Sequence, residues 1–154
     1  MKIWRICKER YASDGFSGEG ARRFGGRWNS PGIPLVYASS SLALAAIEFF
    51  VHLDPSQAPS DLISIAAELP EGEPALRWEL SDLPPRWWSD ELAPVRAFGD
   101  RWARSLSSLA VFAPSVPIRS EWNVLVNPHH SRIGELAVYP AEPFLFDARM
   151  FTAH

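Results

Sequence analysis

The segment Gly25-Gly26-Arg27-Trp28-Asn29, followed by the turn Ser30-Pro31-Gly32, holds the residue types best suited to chemistry. Two glycines let the backbone approach another group closely. Arg27 carries a planar fork of donors matched to carboxylate or phosphate. Trp28 adds a stacking face and Asn29 an amide. Together they describe a pocket wall for an anionic, aromatic ligand such as a nucleotide. A turn whose arginine caps carbonyls and whose tryptophan fills the core uses the same residues equally well. Glu48 is the second candidate. It sits in an apolar segment, 42–53, where Ser41, Ala45, Glu48 and His52 form one narrow stripe at about 100° per residue. That stripe is either a solvated edge or a lone carboxylate projecting into a cleft from a rigid helix. Burial in a cleft would raise its pKa and make it a useful acid, base or hydrogen-bond acceptor. Tyr37 ends the strand before this helix, where functional side chains are common, and it equally suits a core tyrosine with a satisfied hydroxyl. Ser115, in Pro114-Ser115-Val116-Pro117, has a weak signal of its own. Asn123 and Asn127-Pro128 read first as turn residues.

Other motifs fail. Gly18-Glu19-Gly20-Ala21-Arg22-Arg23 begins like a dinucleotide fingerprint but has Arg23 at the third glycine and leads into no convincing helix. There is no phosphate-binding P-loop and no Gly-x-Ser-x-Gly elbow. His129 and His130 are adjacent, so on a strand they face opposite ways. A site shared with His52 and Asp147 is the weaker reading, a loop after Asn127-Pro128 the stronger, and no metal is expected. The single cysteine, Cys7, rules out an internal disulfide and any multi-cysteine metal site, and fits a reducing compartment.

The elements that must position these residues follow from pattern. Strands are expected at 3–7, 33–38, 63–69, 109–117, 123–127, 136–139 and 144–147. Helices are expected at 42–53, N-capped by Ser39, Ser40 or Ser41, and at 95–109. Six glycines within 13–32 predict an irregular loop. Residues 70–94, rich in Pro, Glu and Trp, predict loop with a short helix. Strands and helices mix without a regular βαβ rhythm, which gives an α+β class: a compact mixed sheet with flanking helices. The length of 154 residues supports a single domain, 1–154. A net charge of −3 argues against a general nucleic-acid or anionic-membrane binder. The N-terminus has no apolar run like a secretory signal, and no run reaches membrane-spanning length. A cytoplasmic protein is the expectation.

The residues also match a known family. Trp4-Arg5-Ile6, Gly18-Glu19-Gly20-Ala21, Gly25-Gly26-Arg27-Trp28-Asn29, Val36-Tyr37-Ala38 and Leu44-Ala45-Ala46-Ile47-Glu48 resemble the RES-domain proteins. Gly99-Asp100-Arg101-Trp102, Pro114-Ser115-Val116, Glu121-Trp122-Asn123, Asn127-Pro128-His129 and the stretch from Pro143 to Arg149 continue the resemblance. Residues 54–94 match poorly. The resemblance implies a fold similar to ADP-ribosyltransferases and a toxin of a bacterial toxin–antitoxin pair. It implies cleavage of the nicotinamide–ribose bond of NAD⁺ by hydrolysis or phosphorolysis, or alternatively transfer of ADP-ribose to a protein. NAD⁺ is then the substrate and no separate cofactor is expected. The implied partner is an antitoxin that joins a helix-turn-helix-like domain to a toxin-binding domain, with no direct DNA binding by this chain. The implied catalytic residues are Arg27, Tyr37, Glu48 and Ser115. Arg5, Arg27 and Tyr37 are implied to bind NAD⁺: the arginines hold pyrophosphate and Tyr37 stacks on nicotinamide.

Overall fold

Apolar residues at Ile3, Ile6 and Cys7 open the chain as strand β1 (Lys2–Lys8). β1 pairs along its whole length with strand β3 (Leu62–Glu68), Lys2 opposite Glu68 and Lys8 opposite Leu62. It meets strand β2 (Val36–Ser39) at one registered pair, Trp4 with Ser39. β2 pairs in turn with strand β5 (Trp122–Val126), and β5 with strand β4 (Ala110–Pro114). Two short strands, β6 (Ala137–Val138) and β7 (Glu142–Phe144), both add to β3. The computed structural model describes residues 1–74 and 76–151. Within them the order is β4-β5-β2-β1-β3-β6, with β7 beside β6's partner. The named strands pair antiparallel, and one isolated parallel bridge joins Arg77 to Phe112. The α+β class expected from the sequence is the observed one. Residue 75 and the last three residues of the expected 1–154 unit lie outside the described residues.

Three helices flank the sheet among the described residues. Helix α2 (Leu42–Phe50) starts where Ser41 Oγ accepts the Leu44 amide at 3.1 Å. Its Ala45 packs with Ile6 and Leu62, and with partly buried Trp4, on one sheet face. Helix α3 (Leu92–Ser105) buries Val95, Gly99, Trp102 and Ala103, which recur with helical period. It begins ahead of the expected residue 95 because Pro94 falls in the first turn, where its missing N–H costs nothing. Helix α1 (Glu19–Phe24) corrects the expectation of irregular loop through 13–32. It also corrects the argument against a dinucleotide fingerprint. A helix does follow Gly18, but it is six residues long, and a 3-10 turn rather than a strand precedes it.

Two larger apolar clusters carry most of the buried core. One joins Ile3, Val36, Ala38, Ala67, Leu109, Val124 and Val126 across the sheet. The other seats Trp28 among Leu35, Val95, Trp102, Val111 and Leu125, with Trp78 at 4.9 Å and Trp87 stacked at 6.3 Å. Trp28 is 2% exposed. Burying it contributes roughly 3 kcal/mol, so this ring fixes the loop that carries Arg27. Gly99 makes the seat possible, because a Cβ there would collide with the Trp28 carbonyl. No helix among the described residues is long and apolar enough to cross a membrane.

Candidate functional site

Tyr37 is the hub around which the glycine-rich loop is built. Its hydroxyl accepts the Trp28 amide at 2.9 Å and donates to Asn29 Oδ1 at 2.7 Å. Asn29, fully buried, spends its Nδ2 on the carbonyls of Ala21 and Ile33 at 2.9 and 2.8 Å. Its amide is therefore a fastener of the loop and not a ligand donor, which settles the role left open by its type. Gly26 is required because a Cβ would strike the Tyr37 hydroxyl. Burial pushes the Tyr37 hydroxyl well above the usual tyrosine range, and Asp100 adds to the rise. The Trp28 amide and the guanidiniums of Arg96 and Arg27 pull it the other way.

Two guanidiniums flank that hub. Arg27 Nη1 donates to the carbonyls of Trp87 at 2.9 Å and Ser89 at 2.7 Å. The carbonyl-capping reading of Arg27 and the core reading of Trp28 are thus both realised. Yet Nη1 alone does the capping: Nε and Nη2 make no hydrogen bond among the described residues. That edge is the one that grips an oxyanion with two parallel bonds. Arg96, from α3, donates Nε to the Gly26 carbonyl at 2.8 Å and lies against Gly25. Gly25 has φ +71, and a Cβ there would meet the Arg96 Nη2 at 2.9 Å. The paired glycines therefore admit Arg96 and Tyr37. Sequence reasoning missed Arg96, and its only trace is a cation beside the Gly99-Asp100 motif.

Glu48 has a partner that its stripe did not reveal. Asn123 Nδ2 donates to Glu48 Oε1 at 2.5 Å, and Ser39 Oγ donates to Asn123 Oδ1 at 2.8 Å. Ser39 and Asn123 are cross-strand partners on β2 and β5, so their side chains share a face. Asn123 is therefore a strand residue, as the expected strand 123–127 has it and its type alone did not suggest, and it orients the carboxylate. Ser39 belongs to this relay, and Ser41 alone of the three serines caps α2.

Arg5 reaches Tyr37 where β1 and β2 part. Its Nη1 donates to the Tyr37 carbonyl at 3.0 Å, while its Nε is buried with no hydrogen-bond partner. Burial lowers the pKa of the guanidinium, and the neighbouring Cys7 raises it. An orphaned buried N–H is costly, and the polar side-chain group beside this guanidinium is the Cys7 thiol. Ser115 is fully buried at the end of β4. Its Oγ accepts the Ile118 amide at 3.2 Å and its own amide donates to the Glu121 carbonyl at 3.0 Å. It shapes the turn that leads into β5.

Among Arg5, Arg27, Tyr37, Glu48 and Ser115 the direct hydrogen bond in the described residues is that of Arg5 to the Tyr37 carbonyl, and the sheet relates the rest. Tyr37 and Ser39 lie two apart on one face of β2, roughly 7 Å. Ser115 lies two residues beyond Ala113, the cross-strand partner of Asn123. No hydrogen bond joins Glu48 to Arg27, Tyr37 or Ser115 among the described residues. Arg22, Arg23, Arg132 and Arg149 pair with carboxylates, whereas Arg5, Arg27 and Arg96 hydrogen-bond only carbonyls there. A local surplus of positive charge thus sits inside an acidic chain. A concavity of about 420 Å³ between Met1, Glu68, Glu73 and Phe112 lies apart from all of them.

The RES domain family model matches residues 2–147. The chain belongs to the RES-domain family. This RES domain is 35% identical to the Prs ADP-ribosylating toxin of Sphingobium, covering 96% of this chain and 95% of that protein. It is 33% identical to Toxin Res of Yersinia enterocolitica, over 97% and 99% of the two chains. Among solved structures, the RES chain matches the MbcT–MbcA toxin–antitoxin complex of M. tuberculosis with a TM-score of 0.67. That match has 20% identity and covers 94% of this chain and 84% of the other, so it shows the fold.

Proposed function

We propose that this RES domain is a toxin that consumes NAD⁺ by cleaving its nicotinamide–ribose bond, with water or phosphate as acceptor. The observation that carries the reading is the Glu48 carboxylate, held from a sheet residue on a rigid helix, in a site whose arginines lack carboxylate partners. Cleavage passes through an oxocarbenium-like ribose, and an oriented carboxylate stabilises that positive charge. The C1′–N bond breaks and its electron pair neutralises the nicotinamide ring, so no strong general acid is needed. An acceptor oxygen then bonds to C1′, and with water as acceptor its proton passes to solvent. The open edge of Arg27 suits the pyrophosphate, and the Arg5 guanidinium, held on the Tyr37 carbonyl, adds positive charge beside it. Tyr37 would present its ring to nicotinamide, since its hydroxyl is already engaged on both sides. Ser115 would shape the pocket wall through its turn.

The ADP-ribosylating activity in the name of the Sphingobium relative favours a second reading, transfer of ADP-ribose to a protein. The likeness to a chain from a toxin–antitoxin complex supports a cognate antitoxin as partner. In this reading the antitoxin carries a helix-turn-helix-like domain, the toxin acts in the cytoplasm, and this chain does not bind DNA itself. The deciding experiment follows NAD⁺ loss and nicotinamide release with and without phosphate, in wild type and Glu48→Gln. Loss in the wild type alone supports the reading, and its phosphate dependence names the acceptor. Label transferred from NAD⁺ to protein, without free ADP-ribose, would support transfer instead. No loss and no transfer would overturn both.

A further inference from the structure

Trp87 and Trp88 are neighbours with opposite fates. Trp87 is buried and stacks on Trp28, whereas Trp88 is 40% exposed, its ring edge-on to Trp87 at 5.8 Å. The two carbonyls that flank Trp88 along the chain are the two that converge on Arg27 Nη1. The backbone of Trp88 is thereby pinned beside the guanidinium whose other edge is open. Arg86, two residues earlier, holds φ 58, a left-handed conformation that costs a residue with a Cβ. The Arg27 bonds help hold the segment in that shape.

Trp88 also meets the Ser115 turn. The Arg119 guanidinium lies over the Trp88 ring, 4.6 Å from its centroid. Arg119 follows Ile118, whose amide is bonded by Ser115 Oγ. It pairs with no carboxylate among the described residues. Trp88 therefore links the loop of Arg27 to the turn of Ser115, two residues of the proposed site.

We propose that Trp88 and Arg119 form the subsite for the adenine of the dinucleotide, an inference that rests on the NAD⁺ reading above. A pyrophosphate on the open edge of Arg27 leaves an attached base within reach of the next exposed aromatic ring. Indole stacks on any planar base. Charge selects which one. The nicotinamide is already assigned to Tyr37, where the Glu48 carboxylate serves its ribose, and the neutral, electron-rich adenine stacks with a guanidinium such as Arg119, which has no carboxylate at hand among the described residues to offset a cationic ring.

The test measures binding in the Glu48→Gln background, so that turnover does not interfere. Calorimetry with NAD⁺, ADP-ribose and nicotinamide mononucleotide is compared across Trp88→Ala, Trp88→Phe and Arg119→Ala. Trp88→Ala should weaken NAD⁺ and ADP-ribose about tenfold and leave the mononucleotide unchanged. Trp88→Phe should keep most of the affinity, and Arg119→Ala should weaken the same two ligands. With Glu48 intact, Trp88→Ala should raise KM with little change in kcat. The inference is overturned if the parent binds NAD⁺ and Trp88→Ala binds it equally well. It is also overturned if Trp88→Ala weakens all three ligands alike at an unchanged melting temperature. A parent that binds none of the three, with a wild type that consumes no NAD⁺, defeats the NAD⁺ reading before any Trp88 variant is made.

Discussion

Asn123 on β5 donates its side-chain amide to Glu48 on α2, tying the carboxylate to the sheet at one defined point. Ser39 in turn orients Asn123. If this relay aims the carboxylate, Asn123→Asp should lower kcat by about tenfold or more while KM changes little, because it replaces the donor with a second negative charge. Glu48→Gln should lower kcat by about 100-fold or more with the fold intact. Steady-state kinetics on NAD⁺, together with circular dichroism of both variants, check the pair. A fall in KM-related affinity alone would count against the assigned roles.

Arg27 is predicted to serve two partners with two edges. Arg27→Lys keeps the charge and a donor for the carbonyls of Trp87 and Ser89 but loses the planar fork. KM for NAD⁺ should rise about tenfold or more, with a smaller change in kcat. Arg96→Lys should act in the same direction, since its guanidinium flanks the same hub from α3. Saturation curves for the two variants decide it, and unchanged KM would remove both from the binding site.

Tyr37→Phe leaves the Trp28 amide and Asn29 Oδ1 without their partner and should cost about 1–3 kcal/mol of stability. The sign of the pH dependence follows from burial. The folded hydroxyl holds its proton above the ordinary value of 10.0, so an unfolded chain releases a proton that the folded chain keeps. This contribution is fully present below 10.0 and is lost as pH rises through the raised folded value. Denaturant midpoints measured into the alkaline range should fall more steeply for the wild type than for Tyr37→Phe.

Two glycines in helices should respond in opposite ways. Gly99→Ala drives a methyl into the Trp28 carbonyl and should destabilise by about 2 kcal/mol. Gly20→Ala, on exposed α1 with open space around the new Cβ, should stabilise by about 0.5–1 kcal/mol. Thermal melts of the two variants give the comparison directly.

Glu19 accepts from Arg22 and Arg23, and these bonds hold its carboxyl near 2 despite exposure. Its folded value lies below the ordinary glutamate value of 4.5, so the contribution to α1 is present above that value and lost as pH falls through about 2. A carboxyl NMR titration should place its midpoint near 2 in low salt and higher in Arg22→Ala.

The sequence by itself determined the elements whose patterns are local. Alternation placed β1 and β3, and the serine ahead of an apolar run placed the start of α2, because propensity and capping act over a few residues. The residue types of Arg27, Tyr37 and Glu48 were also legible, and their order along the chain carried the family. Helix α1 was not legible, since Gly18 and Gly20 argue for a loop, and the helix is held instead by the pairing of Glu19 with Arg22 and Arg23 and by the distant Asn29 amide on the Ala21 carbonyl. The tertiary structure alone decided the partners. Asn123 and Ser39 lie 84 residues apart in sequence, and Arg27 meets carbonyls 60 and 62 residues away. Such contacts depend on strand order and on the glycine gaps at Gly25, Gly26 and Gly99, neither of which any short window of sequence encodes. That is why Asn29 turned out to fasten a loop, Asn123 to aim a carboxylate, and Arg96 to stand beside Tyr37.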